Sequence, residues 1–266
     1  MQKILIALVL VLFTATSIHA QALEHKPKQL FISPELSFGT PIILNQNNYG
    51  YSELGYELTF GGQAGVMVGW DYFLKQSFKT GILVSKWGQH YNDILADKRV
   101  KKNINNYYLQ IPATYKHVFG RKRGYDHEVF SPYVFASLRV SYLFYSNVEF
   151  FREQENGEMK EEDLVTFVTE GGKNINSDEI IAMGNPSKDK NLFSPIDINL
   201  ELGGGYQYFI TRRISLFAEV HVASSILDIN AGEWRFRNNK NNYSGSYNIY
   251  GGIKIGANVY LFKNSR

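Results

Sequence analysis

The chain has 266 residues, a net charge of +3, and 44% hydrophobic against 20% charged residues. That balance excludes a mainly disordered chain, which needs low hydrophobicity with high net charge. The absence of cysteine excludes disulfides, thiol catalysis, lipid anchoring through Cys and Cys-ligated metal, and no apolar run beyond the N-terminus reaches the roughly 18 residues of a membrane-spanning helix.

The first element is an export signal. Lys3 precedes an apolar run from Ile4 to Phe13, and small residues follow up to Ala20 and Ala22. A positive start, a short apolar core and small residues at a cleavage point describe a secretory signal peptide, with an uncleaved anchor as the alternative. Residues 1–20 are read as the signal and 21–266 as one β-barrel domain. The whole chain carries 18 Tyr, 18 Phe and 23 Gly against 7 Pro, a composition that favours strands and tight turns.

Eight segments then alternate with period two, which places alternate side chains on opposite faces of a strand. Residues 30–39 set Leu30, Ile32, Leu36 and Phe38 against Ser33, Glu35 and Ser37. Residues 60–72 set Ala64, Val66, Val68 and Trp70 against Gln63, Gly65 and Asp71. Segments 77–89, 106–119 and 132–146 follow, with Ile82, Ile111 and Leu138 on the apolar side of each. The clearest alternation is Ile196-Asp197-Ile198-Asn199-Leu200-Glu201-Leu202. Segment 212–228 sets Leu216, Val220 and Val222 against Glu219 and His221, and the last strand sets Ile253, Ile255 and Val259 against Lys254 and Asn258.

The connections sort by length. Residues 40–59, 90–105, 147–195 and 229–246 read as long loops; 73–76 and 209–211 are short, and 120–131 is intermediate and basic. Such sorting, with strands of the roughly 9–11 residues that cross a bilayer at a tilt, predicts an all-β fold: an eight-stranded antiparallel up-and-down transmembrane β-barrel with long outer loops, in the outer membrane of a Gram-negative bacterium. A further hairpin within the outer loop 147–195, near Leu164–Val168 and Glu179–Met183, would make ten strands.

In a membrane barrel the apolar face meets lipid and the polar face lines the lumen. The inward set is then Glu35, Asp71, Asp197, Glu201 and Glu219, with Lys79, Lys86, Lys116, Arg139 and Lys254. Eight strands leave an interior that side chains just fill, so these charges are expected to pair in a closed, salt-bridged lumen. Trp70, Tyr72, Phe78, Trp87, Tyr107, Tyr108, Phe119, Tyr206, Tyr208, Tyr260 and Phe262 lie near strand ends, where an aromatic girdle is expected.

One strand carries a family signature. Tyr107-Tyr108-Leu109-Gln110-Ile111-Pro112, running on to Lys116, resembles the "YLQIP…K" motif of the outer-membrane β-barrel domain common in Bacteroidetes-type bacteria, which includes PorT-like proteins. The Gly-rich strand at 61–72, the strand at 131–142, ELGGGYQYF at 201–209 and YGGIKIGANVYLF at 250–262 follow in the same order. The resemblance covers about residues 28–262. It implies an eight-stranded outer-membrane barrel, and for PorT-like members a link to assembly of a secretion machine. Many outer-membrane barrels end on an aromatic residue; here Phe262 is followed by Lys263-Asn264-Ser265-Arg266.

Enzymatic signatures are sparse. The sequence contains no G-x-S-x-G, P-loop or HExxH. His90 with Asp93 in an expected outer loop is the nearest thing to a catalytic pair, and His221 shares the inward face with Glu219. The acidic run from Glu149 to Asp163 lacks EF-hand spacing. Ile180–Met183 forms a short apolar docking candidate, and Arg121-Lys122-Arg123 a basic turn on the periplasmic side. No cofactor or metal is implied, and no basic-aromatic module points to nucleic acid. The expected partners are outer-membrane lipid and lipopolysaccharide, and envelope or secretion-machine proteins. The expected function is non-enzymatic, structural or in protein interaction and assembly. The rival readings are an outer-membrane enzyme with its site at the outer rim, and a small-ligand barrel with its faces reversed.

Overall fold

The computed structural model describes residues 29–45, 54–73, 75–95, 97–119, 130–162, 192–211, 213–232 and 243–261. The expected export signal at 1–20, the basic residues 121–123, the segments 164–168 and 179–183, and Phe262 lie outside them. The strands are β1 (Gln29–Leu44), β2 (Tyr56–Glu57), β3 (Gly61–Phe73), β4 (Gln76–Leu95), β5 (Lys98–Val118), β6 (Phe130–Glu153), β7 (Met159–Glu162), β8 (Ile196–Phe209), β9 (Ile214–Ser225) and β10 (Tyr247–Tyr260). Following the hydrogen bonds around the sheet gives β1, β3, β4, β5, β6, β8, β9, β10 and back to β1, every pair antiparallel. Eight strands therefore close into a barrel, and closure removes the free edges. The short β2 and β7 pair with the outer ends of β4 and β6.

Side-chain burial alternates around the ring, and its sense is inverted relative to a soluble barrel. Odd residues of β1, β3, β4 and β8 are the inward ones, as are even residues of β5 and β10. Ser33, Glu35, Gln63, Lys79, Gln110, Arg139, Glu201, Glu219 and Lys254 are buried inside. Phe38, Val66, Ile82, Ile111, Leu138, Val220 and Ile253 face out, and Val220 is 67% exposed in the isolated chain. A contiguous apolar belt of this extent is not stable against water; it is what a membrane barrel offers to lipid. The small-ligand reading required the opposite orientation of the two faces and is overturned by this arrangement.

Aromatic rings bound the belt. Trp70 and Tyr72, Phe78 and Tyr115, and Phe130 and Tyr206 form ring pairs with centroids 5.4, 5.2 and 4.7 Å apart at the end that carries the short turns. At the other end Tyr107 contacts Tyr145 and Phe144. A bulge places this second girdle: Tyr107 pairs with Tyr145 while Tyr108 pairs with Leu143. The extra residue, Phe144, lets two consecutive aromatic residues of β6 face outward and reverses the strand's parity beyond it. Three girdle expectations are corrected. Trp87, Tyr108 and Tyr260 are buried inside the barrel, because each has the inward parity of its strand.

The loop expected at 90–105 is instead a hairpin, with β4 running to Leu95 and β5 starting at Lys98. The expected loop at 147–195 likewise begins as strand, with β6 continuing to Glu153 and turning back into β7. The upper part of β5 reads as loop because its outward residues are Arg99, Lys101, Asn103 and Asn105. Its inward residues Val100 and Ile104 are nevertheless completely buried. Beyond the Tyr107 girdle the outward side of β5 is polar and Val100 and Ile104 pack inward, together with the buried Lys102 and Arg152.

Candidate functional site

The polar interior is the densest concentration of chemistry among the described residues. At its centre, cross-strand partners Glu219 on β9 and Lys254 on β10 lie 3.0 Å apart. Lys254 also reaches Glu201 of β8 at 3.2 Å. Arg139 of β6 forms an ion pair with Glu201 and donates to Gln63 Oε1 at 2.7 Å. Lys79 of β4 bridges Glu35 of β1 at 2.5 Å and Glu219 at 3.8 Å. Tyr133 donates its hydroxyl to Glu219 at 2.8 Å. Three carboxylates thus meet three permanent cations, so the cluster is balanced in charge. Balance is what a buried group of ions needs, because an unpaired charge in this environment costs several kcal/mol.

Aromatic rings complete the cations' surroundings. Lys79 lies 5.0 Å from the Phe217 ring centroid, Lys254 4.7 Å from that of Phe135 and Lys116 4.6 Å from that of Tyr133. Glycines on the same face make room for these rings. A Cβ on Gly256 would stand 2.4 Å from the Phe217 ring, and one on Gly203 2.6 Å from the Phe135 ring. Pairing large residues with missing side chains is how a small barrel fills its bore.

The remaining expected charges are placed differently. Asp71 and Lys116 are buried nearer the periplasmic end, where Lys116 donates to Gln207 at 2.8 Å. Asp197 is buried near the outer end and is held by neutral donors, Ser225 at 2.6 Å and Asn248 at 3.2 Å. Lys86 is a correction. It is half-buried on the outward face, opposite Gly62 and Tyr107, because it shares the parity of Val84.

Ser37 Oγ lies 2.9 Å from His221 Nε2, and His221 Nδ1 lies 2.5 Å from Glu201 Oε1. Hydroxyl, imidazole and carboxylate thus stand in the order of a hydrolytic triad. A reaction also needs substrate space beside the hydroxyl and donors for an oxyanion. Ser37 is 1% exposed and in contact with the Tyr250 hydroxyl at 3.1 Å, its backbone is part of the ladders to β3 and β10, and Glu201 is shared with two cations. This relay orients His221 within the ion cluster. Spacing along the chain gave no sign of it, because its members come from three different strands.

His90 and Asp93 do not form a pair. Three residues apart on one strand, they have opposite parity. His90 gives its backbone N–H to Thr59 at 2.8 Å, while Asp93 accepts from the backbone N–H groups of Gly55 at 2.9 Å and Ile94 at 2.8 Å.

Above the ions the interior is mainly apolar, with Lys102 buried against the Tyr91 and Phe150 rings and Arg152 paired with Glu162. Trp87 stacks on Tyr250 with centroids 5.8 Å apart. Ile43, Leu54, Tyr91, Val100, Ile104, Leu143, Phe150, Leu192, Phe193 and Ile229 join them in one buried cluster. Fastening is by hydrogen bonds: Asp228 accepts from the Ser246 N–H at 2.9 Å and from the Tyr243 hydroxyl at 2.5 Å, and Asn230 donates to Ser246 Oγ at 2.9 Å. The charged lumen is therefore covered on the outer side by a hydrophobic cap.

No protein-family model and no curated protein matches the chain. Among solved structures it is similar to Neisserial surface protein A (10% identity, TM-score 0.44, covering 89% of this chain and 100% of that one). It is also similar to the outer membrane protein OprG from Pseudomonas aeruginosa (12%, 0.34, 90% and 98%) and to the attachment invasion locus protein Ail of Yersinia pestis (10%, 0.32, 89% and 100%). At these values the likenesses add nothing to the barrel read from the hydrogen-bond ladders themselves.

Proposed function

We propose that this chain is a non-enzymatic protein of the Gram-negative outer membrane that acts through its outer surface, in a structural or protein-interaction role, with its lumen closed. The observation that carries this reading is the filled bore. Charged side chains pair across it, and Trp87 and Tyr250, at 1% and 0% exposure, cover them. With no room for transport in the interior, the sheet that β4, β5 and β6 carry beyond the outer girdle is the part available to partners. The motif around Tyr108–Pro112 favours a place among PorT-like barrels, and hence a secretion-associated partner.

The test has two arms. Reconstituted in planar bilayers, the protein is expected to show no steady conductance; long-lived channel openings would refute the closed lumen. Photo-crosslinkers at Asn103 and Asn147, on the outward face of the extension, are expected to capture envelope proteins in intact cells. A lone, heat-modifiable barrel with cross-links to lipid only would sink the assembly role.

A further inference from the structure

The outward face of β4 and β5 above the girdle has a composition that the barrel itself does not explain. Climbing from Lys86, β4 presents His90, Asn92 and the exposed Ile94, and β5 presents Asn105, Asn103, Lys101 and Arg99. No carboxylate faces outward from this stretch of either strand; Asp93 has the inward parity. The acids Glu57, Glu149 and Glu153 stand on the flanking strands β2 and β6. Glu149 accepts from the Asn147 amide at 2.8 Å, and Glu153 from the Arg99 backbone N–H at 3.3 Å. Among the described residues none forms an ion pair with Lys86, Lys101 or Arg99.

Height identifies the occupant. Lys86 pairs directly with Tyr107, so its amine stands at the boundary between acyl chains and headgroups, where a cation is stable beside an anionic group. Lys101 stands six residues above Tyr107 on β5. At roughly 3.3 Å per residue and a tilt of about 40°, that is about 15 Å further from the lipid tails. A phospholipid headgroup layer is only roughly 5–8 Å deep and ends well below Lys101. An occupant that reaches Lys86 and Lys101 together has a tall headgroup with negative charge at its base and further out, and hydroxyls between to meet the asparagine amides. Glu57 on one side and Glu149 and Glu153 on the other bound the strip.

We propose that this face binds the phosphorylated saccharide headgroup of an outer-leaflet glycolipid. Lys86 takes the phosphate nearest the acyl chains, Lys101 and Arg99 take phosphates of the outer sugars, and Asn103 and Asn105 hydrogen-bond sugar hydroxyls. The inference rests on the outer-membrane reading above.

The test uses the full-length protein in detergent, with two probes offered in titration: a phosphorylated disaccharide lipid without further sugars, and the same anchor carrying a phosphorylated core oligosaccharide. Lipid retention is read by native mass spectrometry. A cation near a membrane surface contributes about fivefold to binding. Lys86→Gln is expected to weaken both lipids about fivefold, and the double variant Arg99→Gln/Lys101→Gln to weaken only the longer one, by roughly 25-fold. Lys75→Gln/Arg213→Gln, at the opposite end of the barrel, is the charge control and is expected to change neither. Equal loss in the control, or an Arg99/Lys101 variant that loses both lipids alike or neither, overturns the proposal while leaving the membrane barrel intact. A protein that stays soluble without detergent would instead overturn the outer-membrane reading on which the proposal rests.

Discussion

Glu201→Gln removes the carboxylate that Arg139, Lys254 and His221 share. The central cluster then holds two carboxylates, Glu35 and Glu219, against Lys79, Lys254 and Arg139, and is left with one buried positive charge in excess. Lys254 keeps Glu219 at 3.0 Å, but Arg139 retains only neutral acceptors, Gln63 at 2.7 Å and Gln110 at 3.5 Å. Stranding one member of a buried pair costs about 3–5 kcal/mol. Removing Arg139 as well, in Glu201→Gln/Arg139→Met, restores neutrality with a side chain that fills part of the vacated space. The double variant is therefore expected to be more stable than the Glu201→Gln single variant, with a coupling energy of about 2 kcal/mol. Guanidinium unfolding in detergent micelles, followed by tryptophan fluorescence and by the heat-modifiable gel band, measures all members of the cycle. A single-variant loss below about 1 kcal/mol, or a double variant that loses the sum of the two single effects, would refute the argument from charge balance.

Three further outcomes separate the parts of the structure. Val220→Arg, in the middle of the outward belt, is expected to cost about 2–4 kcal/mol in lipid; a change within about 0.5 kcal/mol would mean that this face meets water. Gly256→Ala would drive a methyl group against the Phe217 ring and the Pro34 carbonyl oxygen at 2.5 Å, and is expected to cost about 1–3 kcal/mol. Gly251→Ala, with nothing within 4 Å of its Cβ position, is the matched control in the same unfolding assay. Asp93→Ala is expected to lower stability by about 0.5–1.5 kcal/mol by freeing the Gly55 and Ile94 N–H groups, and limited proteolysis near residue 55 should accelerate. If His90→Ala and Asp93→Ala instead abolished a surface activity together, the two would be catalytic partners after all.

Period-two alternation located all eight barrel strands, because each strand separates lipid from lumen and the two solvents impose opposite side chains. The ends were harder. Above the girdle both sides of the separation change: polar residues of β5 face outward, and Val100 and Ile104 join Lys102 inside. Residues 98–105 then look like a polar loop to any reading that equates strands with apolar outward faces. Strict parity would have placed Lys86 outside and Trp87 inside, since Lys86 is two residues on from the outward Val84 and Trp87 two on from the inward Ser85. The bulge at Phe144 could not be counted, because both residues it turns outward are aromatic and suit either face. Which acid meets which base was also beyond reach. Glu201, His221 and Ser37 lie on β8, β9 and β1, and their approach depends on the stagger at which the barrel closes, which alternation alone does not encode.

The inversion along β5 has a consequence for how deep the molecule sits. Sliding the barrel toward the periplasm by two residues would leave every side chain on its own face, so parity offers no resistance to it. It would nevertheless drag Asn105 toward the hydrocarbon and the Phe119 level out of it. Sliding the other way would lift Leu109 into water. Each direction places a ring of mismatched side chains in the wrong phase around the circumference, and transfer of one unpaired amide alone costs several kcal/mol. The sequence therefore carries its own waterline, and the height at which Lys86, Lys101 and Arg99 stand above the lipid is set by the chain itself.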